Sequence, residues 1–170
     1  AGIIKEICGL EINKVLKPVS LTALSPQDRR LVLPSNVILK LKRSKDASRS
    51  PETWNARWFV GGDRSVKKFH WYESACSGCT ATTARLMAYQ GTVTRRTLFA
   101  TDIKMAFTQC DLEQKVLDAN RKIYIRMPKQ LMVRDDNGNE IVQQLLKNQY
   151  GLPSAGLTFV RELDKHLAKI

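Results

Sequence analysis

An α+β chain with antiparallel strands is what this sequence predicts, and three observations carry the prediction. Apolar residues recur at helical spacing near both ends, in "IIKEICGLEINKVL" and "SAGLTFVRELDKHLAKI". Between them lie segments that alternate apolar and polar residues, "VILKLKR" and "KIYIRMP". "KIYIRMP" and "IVQQLLK" flank "DDNGNE", whose Asn-Gly pair favours a tight hairpin turn. Helical and strand periodicities in separate blocks, with turns between strands, suit a sheet packed on helices.

In chain order, Ile4, Ile7, Leu10, Ile12 and Leu16 predict an amphipathic helix that Pro18 stops. "LSPQDRR" reads as a turn. "VILKLKR" and "WNARWFVGG" then read as the two strands of a long hairpin with cations along one face, joined by the polar "SKDASRSPET". "TTARLMAYQG" reads as a helix closed by Gly91. Arg95 and Arg96 precede "LFATDIKMAF", a buried strand followed by a turn. The second hairpin follows, and the last helix opens with Ser154 near its N-cap and carries Leu157, Val160, Leu163 and Leu167 on one face. No internal repeat, low-complexity segment or second-domain linker interrupts this order.

Charge narrows the partners. The 170 residues hold 28 Lys and Arg against 16 Asp and Glu, a net charge of +12, which favours a polyanionic partner with nucleic acid first. No apolar stretch approaches the roughly 20 residues that span a bilayer, so no membrane partner is expected. No signal peptide is evident, and an intracellular setting is expected. The sequence opens on Ala1 and ends on an unstopped helix, so a processed, trimmed or partial chain is expected. Cys76 and Cys79 form a C-x-x-C pair, which is half of a zinc site, and reduced thiols are its ordinary reading. Asp102 is the one acid at the end of a hydrophobic run. A helix cap or surface charge is its ordinary reading, and a ligand for Mg²⁺ the sharper one.

Six segments, "VLPSNVILKLKR", "WNARWFVGG", "ESACSGCTATTARLMA", "TDIKMAFTQCDLE", "IYIRMP" and "LLKNQYGLPSAG", together resemble the copia-type retrotransposon reverse transcriptase in order and spacing. The resemblance runs from about Glu6 to the end. It implies one partial domain over residues 1–170, with about 1–97 as fingers and connecting helices and about 98–170 as the start of the palm. It implies that Asp102 is the first catalytic carboxylate, holding Mg²⁺ in an active polymerase. It also implies that Phe107 lies beneath the incoming sugar and that Arg57 meets the triphosphate. Ser154 stands where the family carries a glutamine that contacts template and nucleotide. Asn55 stands where the family usually has lysine, and "KVLDANRK" is an insertion.

The family's Tyr-x-Asp-Asp hairpin, with the remaining catalytic carboxylates, is not among these residues. Asp102 alone cannot hold two metal ions. The chain is therefore expected not to polymerise by itself and to need no cofactor. Its expected role is a nucleic-acid-binding module, with the front part of an active RNA-directed DNA polymerase as the alternative. Lys40, Lys42, Arg43, Lys45, Arg49, Arg64, Lys67 and Lys68, with Arg57, are expected to meet phosphates, and Trp54, Trp58 and Trp71 to stack on bases. Arg95 and Arg96 form a secondary cluster. Other protein chains are expected to cover the open palm edge, inside a ribonucleoprotein such as a ribosome, the mitochondrial one included.

Overall fold

The structure, a computed structural model, describes residues 2–42, 53–62, 81–97, 103–112 and 121–169. Among them are four helices, α1 (Gly2–Ile12), α2 (Pro26–Leu31), α3 (Ala81–Val93) and α4 (Ala155–Leu167). Five strands accompany them, β1 (Leu16–Ser20), β2 (Ser35–Lys42), β3 (Thr53–Val60), β4 (Ile123–Arg126) and β5 (Ile141–Leu145). The strands form two antiparallel sheets, one in the order β1–β5–β4 and the other the β2–β3 pair. The class is α+β.

The three-stranded sheet is covered on both faces. Leu16, Ile123, Ile125 and Leu145 pack with Leu10, Leu33, Trp58, Val60, Leu112 and Leu152 in the larger core. Tyr124 and Val142 look the other way and meet Leu24, Leu21 and Val32. Double coverage explains why Ile123, Tyr124 and Ile125 are all buried, where an alternating strand would expose one face. The two sheets are stitched at Leu33. Its N–H donates to Tyr124 O and its carbonyl accepts from Arg126 N, each at 2.8 Å.

The first helix is shorter than its periodicity predicts. It ends at Ile12, Lys14 takes a left-handed turn at φ 51°, and Leu16 begins a strand. Pro18 sits inside that strand instead of stopping a helix. It is tolerated because β1 is a sheet edge, where a missing N–H costs no ladder bond. The helix turns Ile7 and Leu10 inward with the half-buried Glu6, and leaves Ile4 and Ile12 exposed.

Three other boundaries shift for local reasons. "LSPQDRR" is not a plain turn but carries α2, because Ser25 Oγ accepts from Asp28 N–H at 3.0 Å and donates to Asp28 Oδ2, with Pro26 starting the helix. Gly91 does not close α3. It is the buried residue of a helix that runs on to Val93, and Arg95 supplies the left-handed residue at φ 53°. Ser154 precedes α4 in a helical conformation and its side chain makes no cap bond. The strand expected around residues 98–102 lies outside the described residues.

The segment from Asn148 to Gly151 locks the β2–β3 pair onto the rest. Tyr150 O accepts from Val60 N–H at 2.8 Å, which brings the two backbones together. Gly151 has φ 92°, and a Cβ there would lie 2.1 Å from Val60 O. Only glycine fits such an approach at that torsion. Gly151→Ala is expected to cost at least about 2 kcal/mol. Urea unfolding should show this as a lower midpoint at unchanged slope.

Candidate nucleic-acid interface

The β2–β3 pair carries the residues singled out by charge. Its register sets Val37 opposite Trp58, Leu39 opposite Ala56 and Lys40 opposite Asn55. Directly opposed residues share a face, and successive residues alternate. One face therefore presents Val37, Leu39, Leu41, Trp54, Ala56, Trp58 and Val60, and the other presents Ile38, Lys40, Lys42, Asn55, Arg57 and Phe59. The first face builds the core at its base, where Ala56, Trp58 and Val60 are buried. The second is the cationic face, and Lys40, Lys42 and Arg57 are all exposed on it.

The tryptophans do not join those cations. Trp58 is 2% exposed and its Nε1–H donates to Ser35 Oγ at 2.7 Å. Ser35 Oγ–H in turn donates to Arg126 O. The ring is thus a fixed core member with its one donor satisfied, and its expected stacking on bases is corrected to a packing role. Trp54 is 57% exposed, yet it belongs to the face opposite Lys40 and Lys42. Arg43, Lys45, Arg49, Arg64, Lys67, Lys68 and Trp71 lie outside the described residues. Arg95 and Arg96 are exposed at the end of α3, on a different element.

Two residues named by resemblance meet through a third. The Arg57 guanidinium lies 4.9 Å from the centre of the Tyr150 ring. Tyr150 packs on Phe107 at 5.1 Å between centroids with planes 56° apart, and Phe107 meets Phe159 edge-on at 6.0 Å. Cation–π attraction draws the guanidinium over the ring. Tyr150 stands inside the Tyr-Gly-Leu segment, but nothing in its spacing reveals that it bridges residues 57 and 107. Ser154 is buried and its Oγ has no hydrogen-bond partner among the described residues, a position that suits packing better than contact with an external nucleotide.

Glu6 is a site residue that the helical pattern concealed. Its Oε1 accepts from Trp58 N–H at 3.2 Å, closing a backbone donor on the outer side of β3. Burial pushes the carboxyl above its ordinary value, opposed by the Trp58 hydrogen bond and by the Arg57 charge. Gln149 completes the same stretch, its Nε2 donating to Trp58 O at 3.1 Å.

A cleft of about 390 Å³ opens between residues 103–111 and α4. Ile103, Phe159 and Leu163 line it with Cys110, Asp111, Glu162 and His166. Burial pushes the Cys110 thiol up, as do Glu162 and Asp111, with Lys147 opposing, which disfavours the thiolate. Among the described residues no three His, Cys, Asp or Glu side chains gather to hold a metal ion. Asp102, Cys76 and Cys79, on which the magnesium and zinc expectations rest, lie outside those residues.

The raised Glu6 value fixes the sign of a pH effect. The folded chain holds this proton more tightly than the unfolded one, so the contribution is complete below the ordinary glutamate value and is lost as pH rises through the raised one. Glu6→Gln keeps an oxygen for Trp58 N–H and removes the titration. Chemical unfolding from pH 4 to pH 7 should show a declining step in the native chain that the variant lacks.

No protein-family model matches the chain, and neither a curated protein nor a solved structure does.

Proposed function

We propose that these 170 residues form a nucleic-acid-binding module related to the fingers and first palm segment of a copia-type reverse transcriptase. The observation that carries this is the cationic face of the β2–β3 pair. Lys40, Lys42 and Arg57 project from one side of a two-stranded sheet, in a chain of net charge +12. RNA is the preferred partner, within a ribonucleoprotein such as a ribosome, where other chains would cover its surfaces. With Trp58 in the core and Trp54 on the opposite face, recognition on this face rests on phosphate contacts more than on stacked bases. Such contacts position a protein and read little sequence. Asp102 alone does not make a two-metal site, so binding, not chemistry, is assigned to these residues.

A second reading has its own observation. Arg57 and Phe107, which the resemblance places at the nucleotide, are far apart in sequence and come together on the Tyr150 ring. On that reading the residues are the front of an active RNA-directed DNA polymerase using Mg²⁺.

Charge reversal separates the two. Lys40→Glu with Lys42→Glu should weaken RNA binding and flatten the slope of log affinity against log salt by about 1.4 to 1.8, at roughly 0.7 to 0.9 per phosphate contact. Asp102→Asn should leave both unchanged. An unaltered affinity and slope in the double reversal would remove the binding reading, whereas primer extension lost with Asp102→Asn would establish the polymerase.

A further inference from the structure

We propose that the outer edge of β2 is a docking site for an extended, acid-bearing protein segment, which adds antiparallel to β2 as a third strand. The two edges of the β2–β3 sheet are treated differently. On the β3 side, Trp58 N–H is bonded to Glu6, Trp58 O to Gln149 and Val60 N–H to Tyr150. Helix α1 closes on the same edge at Gly2, where a Cβ would lie 2.3 Å from Trp54 O. That edge is covered, and bonded at Trp58 and Val60.

The β2 side is not. In an antiparallel ladder the two residues of a non-bonded pair point their N–H and C=O groups away from each other. Trp58 points outward to Glu6, so its partner Val37 points outward on the opposite edge. By alternation Leu39 and Leu41 do the same. Val37 N–H is taken by the Asn36 side chain at 2.8 Å. The outward groups of Leu39 and Leu41 meet no hydrogen-bond partner among the described residues. Among the described residues four backbone groups are therefore aligned and open, a template for strand addition.

Side chains define the occupant. Lys40 and Lys42 stand on one face of this edge with Ile38, which is 56% exposed, and Leu39 on the other face is 50% exposed. An added strand that alternates carboxylates with apolar residues sets its acids beside the lysines and its apolar residues beside Leu39 and Leu41. Lysines on an edge also discourage pairing with a second copy of this chain, whose own β2 is equally basic. Charge complementarity thus selects an acidic partner over a copy. The inference does not rest on the nucleic-acid reading, although both use Lys40 and Lys42.

The test uses the full chain and a fluorescent, capped octapeptide alternating Glu and Val, followed by anisotropy. Saturable binding is expected, weakened at least fivefold by Lys40→Gln with Lys42→Gln. Backbone methylation separates strand addition from simple charge attraction. In the antiparallel arrangement, residues opposite Leu39 and Leu41 share their face and point their own N–H groups at β2, so valine nitrogens make the bonds. Methylating them should weaken binding at least about tenfold, and methylating the glutamate nitrogens should change it little. Equal binding of the unmodified and both methylated peptides, or no saturable binding at all, would overturn the proposal. No nucleic acid enters the experiment, so its outcome is separate from that of the RNA titration.

Discussion

The outer edge of β3 is the constraint on which the rest depends. A strand that enters a core must satisfy its outward amides and carbonyls without water, and at Trp58 and Val60 β3 does so with three separate pieces of chain. Glu6 reaches in from α1, Gln149 from the segment before α4, and Tyr150 offers its backbone carbonyl. Those bonds fix where α1 lies, and through Tyr150 they fix where α4 begins. They also position Trp58 and Val60 against Ile123, Ile125 and Leu145 in the core.

Satisfying that edge with polar side chains has a cost nearby. Asn148 and Gln149 are fully buried, and each uses its amide N–H while its carbonyl oxygen has no partner among the described residues. Buried unpaired acceptors are unfavourable by about 1 to 3 kcal/mol each. The surrounding backbone keeps them because the donors matter more: Gln149 closes Trp58 O, and Asn148 Nδ2–H closes Asp111 O. The segment that holds the molecule together is therefore also a place where its stability is spent.

Beyond its pairing with β3 and the bonds that Leu33 and Ser35 make to β4, the outer part of β2 meets no further strand among the described residues. The base of the pair is core, and beyond Val37 the strand is exposed or half-buried. The cationic face and the open edge both arise there. Arg57 marks the junction, exposed like the lysines yet drawn over Tyr150, so the charged surface and the aromatic stack with Phe107 share one side chain.

Much of the secondary structure was determined by the sequence itself, because it depends on local chemistry. The alternation in β2, the aromatic and branched residues of β3, the Asn137-Gly138 turn and the periodicity of α4 are each contained within a few neighbouring residues. Net charge and the cationic face were legible for the same reason. What tertiary structure decided was every choice between partners distant in sequence. Leu16 to Ser20 could extend a helix or pair as a strand, and Leu145 to Ile141 settled it by offering a ladder in which Pro18 needs no N–H. Trp58 could stack on a ligand or fill the core, and the Ser35 hydroxyl, the Glu6 carboxylate and the Gln149 amide hold it in the core. The meeting of Arg57, Tyr150 and Phe107, and the bonding of Trp58 and Val60 on one edge of the pair, depend on contacts across the chain that no local spacing encodes.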